Sequence, residues 1–235
     1  MNQYEFFEAA QATGLQVLTP QDVARITHAN ITSAYVFIHR LVARGRISPL
    51  NKGHFAICDD VFQIASQLVA PAYLSFTTAL FLHHRLSQVI NRLYVVTARK
   101  RPSTQLVLGA EIRFINFRPQ HMFGFRKIKQ GQSYVMLADL EKALCDCLYL
   151  PRYASISEVG RILREGDVDI PVFETYVQRM GVEGVVRRAG FLLEAIGYGT
   201  NLTRTTTTPY KLNPATHFGG VFNSKWRLYV NEGFA

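Results

Sequence analysis

The stretch from Thr19 to Ile57 constrains the fold more tightly than any other part of the chain. Thr19-Pro20 supplies a helix N-cap followed by proline at the first helical position, and Asp22 at N3 suits the positive end of that helix. The spacing predicts a short helix over about Pro20 to Thr27 that buries Val23 and Ile26, then a turn at His28-Ala29-Asn30. Thr32 or Ser33 caps the next helix, in which Ala34, Phe37, Ile38, Leu41 and Val42 share one apolar stripe. Beyond Gly45 a strand is expected to begin at Arg46-Ile47, turn at Asn51-Lys52-Gly53 and return over His54 to Ile57, which is a hairpin pattern. Ahead of it, residues 2–12 carry Tyr4, Phe7, Ala10 and Gln11 at helical spacing and close at Thr13-Gly14, where glycine can take the left-handed conformation. Helix, helix, turn, helix, hairpin is the order of a winged helix-turn-helix.

The apolar stripe leaves Thr32, Ser33, Tyr35, Val36, His39 and Arg40 on the opposite face. From Arg25 to Lys52 there are five Lys or Arg and no acid, within a chain of formal charge +9. Concentrated positive charge favours a polyanion. In a helix-turn-helix the second helix enters the major groove of duplex DNA. Thr32 and Ser33 then suit phosphate or base contacts, Tyr35 and His39 can donate to acceptors in the groove, Arg40, Arg44, Arg46 and Lys52 suit phosphates, and Val36 and His54 complete the expected DNA-binding set.

The texture changes near residue 70, so the expected organisation is an α+β chain. Residues 1–70 form the winged helix-turn-helix and 71–235 a mixed α/β C-terminal domain. A helix runs to about Val69, Pro71 marks the boundary, and Ser75 caps a helix burying Ala79, Leu80 and Leu82. LYVVTA, TQLVLGAEIRFINF and SYVMLA read as strands, separated by turns at Arg99 to Pro102, Arg118 to His121 and Lys129 to Gln132. Between Arg85 and Lys129 there are ten Lys or Arg against the single acid Glu111. Arg99, Lys100, Arg101, Arg126, Lys127 and Lys129 are therefore expected to form a second basic surface, facing DNA or a partner protein. Helices follow over MLADLEKALCDCLYLPRY, with Asp139 as cap, near Ser157 to Arg164, near Pro171 to Val177 and over VVRRAGFLLEAIGYG. NLTRTTTTP is a polar loop, and SKWRLYVNEGF holds a last strand.

EKALCDCLYL at Glu141 to Leu150, RRAGFLLEAIG at Arg187 to Gly197 and KWRLYVN at Lys225 to Asn231, following that N-terminal order, resemble the AbiEi family of antitoxins, transcriptional regulators of type IV toxin-antitoxin systems of abortive infection. The resemblance runs in order along essentially the whole chain. It implies an N-terminal domain that represses its own operon at inverted repeats in double-stranded DNA. It further implies a C-terminal domain that neutralises a nucleotidyltransferase-like toxin. Many members carry an Arg-Gly-Val-Tyr type wing strand, where this chain has Lys52-Gly53-His54-Phe55.

Other chemistries find little footing. Glu141 and Asp146, five apart on one helix, point to faces about 140° apart, and no Glu-X-Lys triplet supports a metal-dependent nuclease. The three cysteines lack zinc-ligand spacing, and no histidine cluster, nucleophile elbow or phosphate loop occurs. No enzyme activity, metal or cofactor is expected. No apolar run reaches the roughly 18 residues of a spanning helix, and MNQYEFFEAA lacks signal-peptide features, so the expectation is a cytoplasmic protein without membrane contact. The alternative is a winged-helix regulator whose C-terminal domain senses a small molecule, its pocket lined by Phe114, Phe117, Phe123, Phe125 and Tyr134.

Overall fold

The computed structural model describes residues 1–51, 53–86, 90–131, 133–216 and 219–233. It is a mixed α+β chain whose contacts divide it into two compact units. The first unites Met1–Leu74, Asn91–Asn116 and Arg126–Leu137; the second takes Ser75–Ile90, Phe117–Phe125 and the chain from Ala138 onward.

In the first unit α1 (Gln3–Thr13) starts at a capping box between Asn2 and Glu5 and ends at Gly14, whose φ is 72°. Its inward face is Phe6 and Ala10; of the expected set Tyr4, Phe7, Ala10 and Gln11 only Ala10 is fully buried, Tyr4 being 72% exposed and Gln11 exposed, because the face is turned to Phe6. The Phe6 ring meets Phe37 edge-on at 5.0 Å, and that contact selects the face. After β1 (Val17–Leu18), α2 (Pro20–Thr27) opens with the expected cap, the Thr19 hydroxyl accepting from Asp22 N–H and the Asp22 carboxylate accepting from Thr19. His28 closes it in the left-handed conformation.

The following helix, α3 (Ile31–Ala43), is capped by Asn30, whose Oδ1 accepts the Ser33 N–H at 2.8 Å. Thr32 and Ser33 therefore belong to its first turn and are not its cap. Ala34, Ile38 and Leu41 join Phe6, Ala10, Leu18, Val23 and Ile47 in one apolar cluster. The hairpin is β2 (Ser48–Asn51) and β3 (His54–Ala56), which form an antiparallel sheet in the order β1-β3-β2. The strand starts at Ser48, not Arg46, because Ile47 is drawn into the core and the Arg46 N–H still closes the helix end on the Leu41 carbonyl.

Helix α4 (Val61–Gln67) ties this part to a six-stranded sheet of β4 (Ala72–Leu74), β5 (Arg92–Thr97), β6 (Thr104–Val107), β7 (Ala110–Asn116), β8 (Phe125–Gln130) and β9 (Ser133–Ala138). The order is β6-β7-β5-β4-β9-β8. Gln67 receives the Gln16 N–H at 2.7 Å and donates to the carbonyls of Gly14 and Tyr134, while Ser133 Oγ donates to Gly14 O at 2.7 Å. Those bonds place residues 1–74 and the sheet in one unit, where the sequence texture drew a boundary near residue 70. The expected long strand at TQLVLGAEIRFINF is two, β6 and β7, folded back at Leu108-Gly109 with φ of 47° and 82°. Phe125–Gln130, read from sequence without a strand, forms β8 at the sheet's far edge.

The second unit is built around α6 (Leu140–Tyr149), which packs against α5 (Phe76–Leu82), α7 (Ile156–Glu165), α8 (Ile170–Met180) and α9 (Glu183–Ala195). Residues around its whole circumference are buried, including Lys142 and Asp146 at 0% exposure. Neither Ser75 nor Asp139 caps its helix by a side-chain bond. Ser75 Oγ donates to Asp146 at 2.7 Å, and the Asp139 carboxylate accepts from Tyr176. A small sheet of β10 (Tyr210–Lys211), β12 (Leu228–Val230) and β11 (Val221–Asn223) completes the unit. Among the described residues no helix is long and apolar enough to cross a membrane.

Candidate nucleic-acid interface

The outward face of α3 carries two rows of side chains at helical spacing. Thr32, Val36 and Arg40 form one and Ile31, Tyr35 and His39 the other, and all six are exposed. Arg44 and Arg46 extend the basic end beyond the helix, also exposed. Tyr35 is 54% and Val36 48% exposed, so the face turned away from the cluster presents apolar as well as polar surface. The first row lines a groove of about 390 Å³ with Met1, Thr27, Ala29, Ser33 and Phe37. Met1, which the residue patterns did not signal, also borders this groove. Arg25, the one cation of α2, pairs with Asp22 at 3.5 Å. No acid lies between it and Asn51 to oppose Arg40, Arg44 and Arg46.

At the hairpin His54 is half-buried within β3 and engaged with neighbours, so it is less open than a wing-tip position suggests. Lys52 lies outside the described residues.

The six cations grouped as a second basic surface separate onto two edges of the large sheet. Arg101 is stacked 3.6 Å over the Phe114 ring, donates to the Leu68 carbonyl and to Gln105 Oε1, and burial lowers its pKa from the ordinary arginine value. Arg99 Nε donates to the Ala70 carbonyl at 3.2 Å, and Lys100 between them is exposed. These three lead into β6, the outermost strand on one side. Arg126, Lys127 and Lys129 are exposed on β8, the outermost strand on the other. Five strand spacings separate the two edges, on the order of 24 Å. Lys127 Nζ sits 3.7 Å over the Tyr134 ring, and with Lys129, Ser133 and Gly14 it borders a shallow cleft at the end of α1.

In the second unit Asp146 is consumed by Lys142 and Ser75, whereas Glu141 accepts the Asp169 N–H at 3.1 Å, so the two carboxylates share no cleft. Cys145 and Cys147 are fully buried free thiols whose pKa values burial pushes up. No group of His, Cys, Asp and Glu suited to a metal ion occurs among the described residues. Phe114 is covered by Arg101, Phe117 packs edge-on with Phe76 and Tyr149, and Phe123 does so with Tyr176. Those three rings are buried. A cleft of about 670 Å³ does open beside Thr77, His84, Arg85, Ser155, Glu158, Arg161 and Glu165. Its charges are already matched, Arg161 by Glu158 and Glu165 and Arg85 by Asp167.

Neither a scan against protein-family models nor a search of curated proteins returns a match for this chain.

Proposed function

We propose that the protein is a DNA-binding transcriptional regulator in which α1 to β3 act as a winged helix-turn-helix and α3 enters the major groove. The observation that carries this is the exposed, acid-free face of α3, with hydroxyl and aromatic side chains toward its start and Arg40, Arg44 and Arg46 toward its end. Such a surface suits base edges at one end and phosphates at the other. The resemblance of the segments now seen as α6, α9 and β12 to AbiEi antitoxins extends the proposal: the regulator represses its own operon at inverted repeats and counteracts a nucleotidyltransferase-like toxin. A second reading, a regulator that senses a small molecule, draws on the 670 Å³ cleft. The internal pairing of that cleft's charges makes it the poorer one.

Fluorescence anisotropy of the full chain on duplexes from its own upstream region tests the proposal. Arg40→Ala should weaken binding to every duplex and flatten the dependence of log affinity on log salt by about 1. Tyr35→Ala should instead change the preference among sequences, by about 1–3 kcal/mol at the affected base pair. No binding at low salt, or an Arg40→Ala variant that alters sequence choice at unchanged affinity, would refute it. Co-expression with the product of an adjoining nucleotidyltransferase-like gene tests the antitoxin half, and a toxin left fully active removes it.

A further inference from the structure

The hairpin is not a free-standing appendage. Leu50, near its tip, is the residue its ladder skips: the pairs run Pro49 with Phe55 and Asn51 with His54. A bulge of this kind re-aims the backbone, and the Leu50 carbonyl is taken by Gln105 Nε2 of β6 at 3.4 Å. The same amide's Oε1 accepts from Asn51 Nδ2 at 3.4 Å and from Arg101 Nη2 at 2.9 Å. Arg101 is itself fixed, stacked on Phe114 and bonded to the Leu68 carbonyl. One amide therefore links the edge of the large sheet to both residues at the outer end of β2, with an anchored guanidinium behind it. Two of its three bonds, at 3.4 Å, are longer than the usual N–H···O distance, and the third, to Arg101, is 2.9 Å.

We propose that Gln105 is a positioning residue for DNA binding: it holds the bulged strand of the hairpin on the sheet, in the setting where hairpin and α3 meet the same duplex. The inference rests on the DNA-binding function proposed above and adds to it a dependence of the hairpin on residues outside the first 70. It also accounts for the asymmetry of Arg101, a cation in the most basic part of the chain whose fork is spent on two protein oxygens.

Gln105→Met keeps the side-chain length and removes the donor and acceptor; Thr104→Ala, exposed on the same strand, is the control. Both are measured in the full chain by thermal melting and by anisotropy on duplex DNA across a salt series. The expected result for Gln105→Met is an unchanged melting temperature, affinity lower by about tenfold, and a salt slope flatter by about 1, the loss of one phosphate contact. The base-sequence preference set by α3 should persist, and adding Asn51→Ala should bring little further loss, because the two act through one bond. Parent-like affinity and slope overturn the inference, as does a loss additive with Asn51→Ala. A melting temperature that falls together with affinity also overturns it by making Gln105 a stability residue. If the unaltered chain binds no duplex, the proposed function fails and this inference with it; failure of the variant alone leaves that function standing.

Discussion

Arg187 is among the largest fully buried side chains of the described residues, and its charge is met oxygen by oxygen. Nε pairs with Glu183 at 2.6 Å, Nη1 donates to the Thr208 carbonyl at 2.5 Å, and Nη2 donates to the Thr206 carbonyl and hydroxyl. The threonine-rich loop, polar and unstructured by its own pattern, is thereby wound round one ion pair. Burial raises the Glu183 pKa, but hydrogen bonds from the Thr205 side chain, Arg187 and the Thr205 and Thr206 N–H groups outweigh it and bring the value down to about 2. A carboxylate with a depressed folded-state pKa contributes stability that is complete above its unfolded value, about 4.3, and is lost as pH falls toward the folded one. Glu183→Gln should therefore lower stability by about 2 kcal/mol at pH 7, with the gap to the parent narrowing between pH 4.3 and 2. Urea unfolding at several pH values measures this, and a gap independent of pH would exclude the carboxylate's charge as its source.

At the scale of elements, α9 shows how two effects of opposite sign are ranked. Gly190 lies inside this helix, where alanine is intrinsically better by about 1 kcal/mol. A Cβ there would stand 2.1 Å from the Trp226 ring, whose Nε1 donates to Glu194 while the residue's backbone N–H donates to Asn223 Oδ1. Overpacking against a fixed ring costs about 3 kcal/mol, so Gly190→Ala should destabilise by about 2 kcal/mol net. A urea midpoint that rises would mean that the ring yields. The pattern RRAGFLLEAIG marks a helix; only the approach of β12's preceding indole explains the glycine within it.

For the whole molecule, the separation of basic residues onto opposite edges of the large sheet makes different demands on a DNA footprint. Lys100 lies on the β6 edge, to which Gln105 joins the hairpin, whereas Arg126, Lys127 and Lys129 stand on β8 beside the end of α1. Lysines on an exposed edge strand also deter pairing with other chains. Lys100→Glu should thus flatten the salt slope of the full chain by at least about 1, while reversing all three β8 charges should leave the slope unchanged. A slope flattened by several units in the β8 variant would place that edge on DNA. An unchanged slope with lost toxin neutralisation would assign it to the protein partner.

What the amino-acid sequence determined by itself was local: the N-cap at Thr19 with Asp22 at N3, the turn at His28 to Asn30, the stripe of Ala34, Ile38 and Leu41, and the exposed face of α3 that follows from it. Caps, turns and periodicity act over four or five residues, so they are written where they operate. The same rules slipped where a neighbour distant in sequence decided. Ile47 left the strand for the core, Ser75 gave its hydroxyl to Asp146 instead of a helix end, and Phe125–Gln130 became a strand because β9 offers its edge. Six basic residues that looked like one surface were divided because strand order, not sequence proximity, sets where they emerge. Gln105 carried no signal at all, since its meaning comes from Leu50 and Asn51, which only the tertiary structure brings within reach of its amide.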